Sequence, residues 1–352
     1  MTTTELIDQI QRATADKTPL CIQGGGTKRW YGQAPTGEIL ATRNYAGIID
    51  YDPSELVITA RCGTPLTEIK AALAQKQQML AFEPPSFGSD ATIGGVVASG
   101  LSGPRRASAG GIRDFVLGAV LLNGQGERLA FGGQVMKNVA GYDVSRLLAG
   151  SMGCLGLIAE VSLKVLPVPR SEISLSFDVS QATALKKLND WAGQPLPISA
   201  STWENHRLTI RLSGSEAATA SAKGKLGGEL LNDEKSQQHW QDVAEHVHSF
   251  FWHQTIWRVS LPATVPMLEL GGEQFIEWGG AQRWLTNPTD SADQLRQRIS
   301  ALGGHVTLFK GGDKGLGVFQ ELSKPIMTIH RRLKSAFDPS GIFNPGRLYP
   351  EL

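Results

Sequence analysis

Glycine falls in five dense clusters along this chain, and their placement constrains the fold more than any other feature of the sequence. The clusters are Gln23-Gly24-Gly25-Gly26-Thr27-Lys28; Thr92 to Gly100 with Gly103; Gly110 to Gly118; Gly141 to Ile158; and Asp338 to Arg347. Backbone stripped of side chains cannot fill a hydrophobic core. It turns, or it lies closely against another backbone or a flat ligand. Four of the five clusters lie in the first half of the chain, and the fifth stands at its far end.

The first cluster follows a short apolar run, residues 19–23, that reads as a buried strand. Three glycines can reach positive φ and aim several N–H groups at one point, as an anion-binding nest does; equally they can form a plain turn. Neither GxGxxG nor GxxxxGK[ST] is present, so the common nucleotide loops do not apply. Residues 56–60 read as a second strand. Thr64 and Pro65 then predict a helix start, with Thr64 as the cap and Leu66, Ile69, Ala72 and Leu73 as the apolar stripe. Small residues crowd Thr92 to Gly100, which is consistent with tight packing between segments or with a ligand. Strands are expected at 115–122, 128–131 and 156–166, with Asn123-Gly124 as a hairpin turn.

Pro167 and Pro169 mark the expected domain boundary. Beyond them residues 171–178 alternate apolar and polar. A helix at 181–192, a strand at 207–212, helical pattern over 216–248 broken at Gly227-Gly228, a strand at 255–261 and a helix at 290–302 complete the second half. The order indicates an α+β domain with helices on an antiparallel sheet. A last helix ends at Phe337, where Asp338-Pro339 stops it. The expected division is therefore 1–169, 170–325 and 326–352, the last segment returning to the first domain.

The five glycine motifs, in this order and spacing, resemble the FAD-binding domain of the vanillyl-alcohol oxidase superfamily, the PCMH-type fold. The resemblance covers roughly Pro19 to Pro169 and the terminal Asn344-Pro345-Gly346-Arg347. With Trp278-Gly279-Gly280 included, the whole chain is most similar to the family of smaller flavin subunits of bacterial glycolate oxidase. It implies a two-subdomain PCMH-type FAD domain followed by an α+β cap domain. It implies that Gly24, Gly25, Gly26, Thr27 and Lys28 hold the FAD diphosphate. Thr92, Gly94, Gly95, Ser99, Gly100 and Gly103 would run beside the diphosphate and the isoalloxazine ring. Gly153, Gly156 and Ile158 would meet the cofactor by their backbone, and Asn344 and Arg347 would fold back near it. Lys137 and Tyr142 fall in a matching stretch, where packing is an equal reading. Relatives that bind flavin covalently carry a histidine in the pyrophosphate loop; here Gly26-Thr27 stands in that place, so FAD is expected to be held non-covalently. The family implies a larger flavoprotein subunit and an iron–sulfur subunit as partners, and a small 2-hydroxy acid, glycolate, as the substrate of the complex.

Other features narrow the class. Lysine and arginine number 34 against 33 acidic residues, so there is no basic excess to attract nucleic acid. No N-terminal signal pattern and no apolar run long enough to span a bilayer occurs, which predicts a cytoplasmic chain that reaches the inner membrane only through partner subunits. Cys21, Cys62 and Cys154 form no CxxC, so an iron–sulfur cluster is not expected within this chain, and no metal site is expected either. Related hydroxy-acid dehydrogenases carry a histidine-rich motif in the cap. Here the corresponding run is Phe309-Lys310-Gly311-Gly312-Asp313-Lys314-Gly315, without histidine. His305 is the nearest base, and a structural role is the simpler reading for it. Trp257, Arg258, Trp278, Arg283 and Trp284 suit a planar carboxylate or a flavin edge, and equally a partner interface or packing in the cap sheet, the readings preferred here. A catalytic set is not legible, and the chain alone is expected not to turn over glycolate. The alternatives are a self-sufficient dehydrogenase and a scaffold that has lost its flavin.

Overall fold

The structure, a computed structural model, describes residues 1–133 and 143–352, and the chain forms two compact units. The first comprises Met1–Leu101, Gly111–Pro167 and Glu321–Leu352; the second comprises Ser102–Gly110 and Val168–Gln320. The boundaries thus fall at Pro167 and Gln320, where 169 and 325 were expected. Ser102–Gly110, expected in the first domain, belongs to the second. The reason is chemical: Arg105 forms an ion pair with Glu172 at 2.6 Å, Ser108 donates to the Ser199 carbonyl, and the Trp278 indole donates to the Gly103 carbonyl.

The first unit opens with the helix Thr3–Asp16, fixed at its start by a capping box between Thr2 and Glu5. Its buried face, Leu6, Ile10 and Ala13, packs with Leu20, Leu40, Leu122, Leu157 and Phe343. The strand Leu20–Gln23 pairs in parallel with Glu38–Ala41. A five-stranded antiparallel sheet follows, in the order Ile48–Asp52, Val57–Arg61, Leu157–Lys164, Val116–Leu122 and Arg128–Gly132. The helix after residue 65 forms over Leu66–Ala74, but Thr64 does not cap it. The Thr64 hydroxyl turns instead to the Arg61 and Gly47 carbonyls. The hairpin at Asn123 is wider than a two-residue Asn-Gly turn: Asn123 Oδ1 accepts the amides of Gln125 and Glu127, and positive φ falls at Gly126. Lys137 and Tyr142 lie outside the described residues.

The second unit is built on an eight-stranded antiparallel sheet: Glu229–Leu230, Ser171–Asp178, Arg207–Gly214, Ile198–Glu204, Gln274–Glu277, Gln282–Leu285, Ile256–Ser260 and His305–Lys310, in spatial order. Helix Gln181–Ala192 buries Leu185, Leu188 and Trp191 against one end of the sheet, and helix Ala292–Ala301 buries Leu295 and Ile299 against the other. Both units mix helices with antiparallel sheet, as the pattern of the sequence predicts for an α+β protein.

Candidate cofactor cleft

Where strand Leu20–Gln23 ends, the glycine triplet opens a cleft of about 640 Å³ in the first unit. Gly24, Gly25, Gly26, Thr27 and Lys28 line it, joined by Thr92, Gly95 and Ser99 from helix Ile93–Ser99 and its cap, and by Asn344 and Arg347 from the C-terminal tail. An adjoining cleft of about 410 Å³ shares Gly24, Gly95 and Asn344 and adds Gly94, Gly153, Gly156 and Ile158.

Fourteen of the sixteen residues the sequence singles out therefore line one continuous region. Gly100 and Gly103 do not line it. Gly100 ends the helix in the left-handed region at φ 69°, and a Cβ there would strike the Gly150 backbone. Gly103 sits in the second unit under Trp278. The glycines of the loop have their own steric cause. A Cβ on Gly25 would collide with the Asp90 carbonyl, and one on Gly24 with the Thr92 hydroxyl. Glycine is therefore required because the segment before the helix passes directly behind the loop.

The polar groups of the cleft are arranged for an anion. The amides of Gly24, Gly25, Gly26 and Thr27 have no acceptor among the described residues. Arg347 donates through Nη2 to the Arg29 carbonyl at 2.8 Å, while its buried Nη1 and the buried Thr92 hydroxyl have no partner. A buried guanidinium N–H left unmatched is costly unless something else accepts from it. Burial pushes the Arg347 pKa below its ordinary value. Asn344 clasps the floor: its Oδ1 accepts from the Ile22 amide at 2.8 Å and its Nδ2 donates to the Met152 carbonyl at 2.6 Å. Free amides, an unmatched guanidinium and an orphan hydroxyl together fit the phosphates of a dinucleotide cofactor. By contrast Lys28 reaches away, its ammonium donating to the Ser86 carbonyl.

Sequence reasoning missed Cys21, Ile22, Gln23, Arg29, Pro35, Ala98 and Met152 in the first cleft, and Thr42 and Cys62 in the second. Cys21, Ile22, Gln23 and Arg29 flank the glycine loop and could have been included by adjacency. Met152 stands next to Gly153 in the fourth glycine cluster and could have been included in the same way; it sits at φ 53°, unusual for its type, and offers its carbonyl to Asn344. Burial pushes the Cys62 thiol up to about 12 and the Cys154 thiol to about 11.

The second unit resolves the remaining candidates. Arg283 is wholly buried and staples a loop through the Gly280, Pro266 and Val265 carbonyls, its pKa lowered by burial to about 10. Trp257 lies in the apolar core beside Val259 and Leu308, and the Trp284 indole donates to Glu277 at 2.5 Å. His246, in the left-handed region past the end of helix Asp233–Ala244, stacks on Phe309, while His248 accepts the Phe250 amide and so caps the following turn. His305 opens its strand opposite Ser260, diagonal to Arg258; burial, Arg258 and Arg106 lower its pKa. Arg106 stacks on Trp278 at 4.5 Å. Gly311 is fixed sterically, since a Cβ there would meet the Gln254 carbonyl, and Asp313 caps Gly315. Among the described residues no group of three or more His, Cys, Asp or Glu side chains converges as a metal set, and no helix is long and apolar enough to cross a membrane.

Comparison with known proteins agrees with this geometry. Residues 1–132 match the family described as FAD binding domain, and residues 291–348 match the C-terminal domain of FAD linked oxidases. Glycolate oxidase subunit GlcE of Escherichia coli (strain K12) is 49% identical over 99% of this chain and 97% of its own length. Glycolate oxidase subunit GlcD of Bacillus subtilis (strain 168) is 23% identical over 97% of this chain and 87% of its own. In fold the chain is similar to 4-ethylphenol oxidase from Gulosibacter chungangensis, with a TM-score of 0.72 over 99% of this chain and 88% of that one, at 14% identity. Identity near one half along almost the full length means that the chain belongs to the family of glycolate oxidase subunit GlcE, and that its first unit carries an FAD-binding domain.

Proposed function

We propose that this chain is the FAD-binding subunit of a heteromeric 2-hydroxy-acid oxidoreductase that converts glycolate to glyoxylate. The observation that carries the site is that one cleft is lined by Gly24, Gly25, Gly26 and Thr27, whose amides have no acceptor among the described residues, and by Arg347 and Thr92, whose buried Nη1 and hydroxyl have no partner there. The Gly24–Thr27 amides and Arg347 would hold the diphosphate, and Gly94, Gly95, Gly153, Gly156 and Ile158 would give the flat remainder of the cofactor close backbone contact. FAD supplies the redox chemistry when bound; the chain supplies orientation, exclusion of water and charge balance.

The cofactor is held non-covalently in this reading. Among the described residues no histidine lines either cleft, and of the two cysteines that do, Cys21 and Cys62, the Cys62 thiol is pushed by burial too high to provide a ready thiolate. The partners are a larger flavoprotein subunit and an iron–sulfur subunit, with any membrane association coming through them and the chain itself cytoplasmic. Support comes from the relative, by name itself a subunit of glycolate oxidase. The flavin here then either relays electrons or serves the architecture of the complex.

The test is a spectrum of the purified chain followed by acid precipitation. Flavin absorbance that passes wholly into the supernatant is expected. A colourless folded chain that does not take up added FAD would favour the scaffold reading, and flavin retained on the pellet would mean a covalent link.

A further inference from the structure

The C-terminal helix Lys324–Phe337 and the tail beyond it carry a buried ionic pair. Lys334 is 8% exposed and Asp338 1%. The Lys334 ammonium spends all three of its donors, on Asp338 Oδ2 at 2.6 Å and on the Cys154 and Phe343 carbonyls at 2.7 Å each. Asp338 is satisfied as fully, Oδ1 accepting the Ile342 amide and Oδ2 the Phe343 amide. Two side chains therefore tie together three pieces of backbone: the turn before strand Leu157–Lys164, the end of the helix, and the run entering Asn344.

Burying such a pair costs desolvation that an apolar pair of the same volume does not incur, so stability alone is a poor reason for it. Directional bonds confer something else, a single register. The residue after the fixed Phe343 is Asn344, whose amide donates to the Leu20 carbonyl while its side chain joins Ile22 to Met152. Three residues on, Arg347 enters the cleft with its backbone amide on the Asn344 carbonyl. A slip of the tail by one residue would withdraw the unmatched guanidinium from the cleft and break the clasp on its floor.

We infer that Lys334 and Asp338 are positioning residues for the cofactor: they hold the tail in the register that presents Asn344 and Arg347 to FAD. The inference rests on the reading that this cleft takes FAD. Neither residue touches the cleft as Asn344 and Arg347 do; both act through them.

The experiment titrates FAD into the full-length apo-chain, wild type and variants side by side, by flavin fluorescence, with thermal unfolding of the apo form as the control. The double variant Lys334→Met/Asp338→Leu strips hydrogen bonds from the Cys154 and Phe343 carbonyls and from the Ile342 and Phe343 amides, so its apo midpoint should fall; titrated at a temperature where the apo form is folded, it should lose at least about tenfold in FAD affinity. The visible circular dichroism of its residual bound flavin should change. Should the double variant not fold, Asp338→Asn, which keeps the shape, is titrated at a temperature where it is folded, with the same expectation. FAD affinity within about twofold of wild type in the folded variant would overturn the inference, as would a fall in apo stability with unchanged affinity. Failure of the wild-type chain to bind FAD saturably would overturn instead the reading beneath it.

Discussion

Arg347 shows how one side chain can be divided between fold and ligand. Its Nη2 is committed to the Arg29 carbonyl, which pins the tail against the glycine loop, while its Nη1 is buried and unmatched. A charged donor of that kind contributes about 2 kcal/mol when an acceptor arrives, or about thirtyfold in affinity. Arg347→Met should therefore weaken FAD binding by that order. Arg347→Lys should not restore it, because a single ammonium cannot serve the carbonyl and the cofactor from one planar fork. Titration of both apo-variants measures this, and a lysine variant that binds as wild type would remove the guanidinium from the assignment. The loop glycines belong to the same scale. At Gly24 and Gly25 the lack of a side chain is dictated by Thr92 and the Asp90 carbonyl, and at Gly26 by its positive φ of 73°.

Among the elements, legibility in the sequence followed locality. Helices Gln181–Ala192 and Ala292–Ala301 and the strand Ser171–Asp178 are visible because their apolar period is self-contained. Strands Gln274–Glu277 and Gln282–Leu285 are hidden in a Trp- and Gly-rich stretch, since both faces of the central sheet are covered there and the alternation disappears. The glycine motifs of the cleft could be read because close backbone approach leaves a compositional trace; Thr42 and Cys62 could not, since only tertiary contact brings them in. Nor does sequence show the polar filling of the second unit. His239 lies there against Thr202 at 2.9 Å, and burial, with His248 and Arg211 adding and Asp242 opposing, lowers its pKa from 6.5 to about 4. A histidine kept neutral when folded takes up its proton on unfolding, so its contribution is complete above about pH 6.5 and is lost as pH falls toward 4. That loss amounts to up to about 3 kcal/mol. Thermal midpoints measured from pH 7 to pH 4.5 should fall in the wild type and fall less in His239→Gln, which can keep the Thr202 bond. The window stays above the ordinary 4.5 of Glu172, whose carboxyl, despite burial, is held low by Arg211 and Arg105 and whose contribution is lost only at more acid pH. Parallel curves for the two proteins would show that His239 does not titrate in this way.

At the scale of the molecule the two units are unequally furnished. The first assembles amides, a guanidinium and a hydroxyl around one cleft. On the described second unit the ionisable groups are largely engaged in structure: Arg283 staples a loop, Glu277 accepts from Trp284 and Gln282, His246 is stacked among aromatic rings, and His248 caps a turn. Oxidation of a 2-hydroxy acid needs a base for the hydroxyl proton and a cationic seat for the carboxylate, both held against the flavin. His305, near Arg258 and Arg106, brings a base and cations together. It is an exposed residue at a strand start, and among the described residues no carboxylate or carbonyl bonds its ring to fix the tautomer. The expected outcome is that the chain alone, saturated with FAD and offered glycolate or D-lactate with an artificial acceptor, stays well below about 1 turnover per second. Adding the partner subunits should restore turnover, and Arg347→Met in this chain should reduce flavin content of the complex without changing which subunits assemble. Full turnover by the isolated chain would instead make it a self-sufficient dehydrogenase. His305→Gln and Arg258→Met, assayed by the same measurement, would then separate the base from the carboxylate seat, the first lowering kcat and the second raising KM.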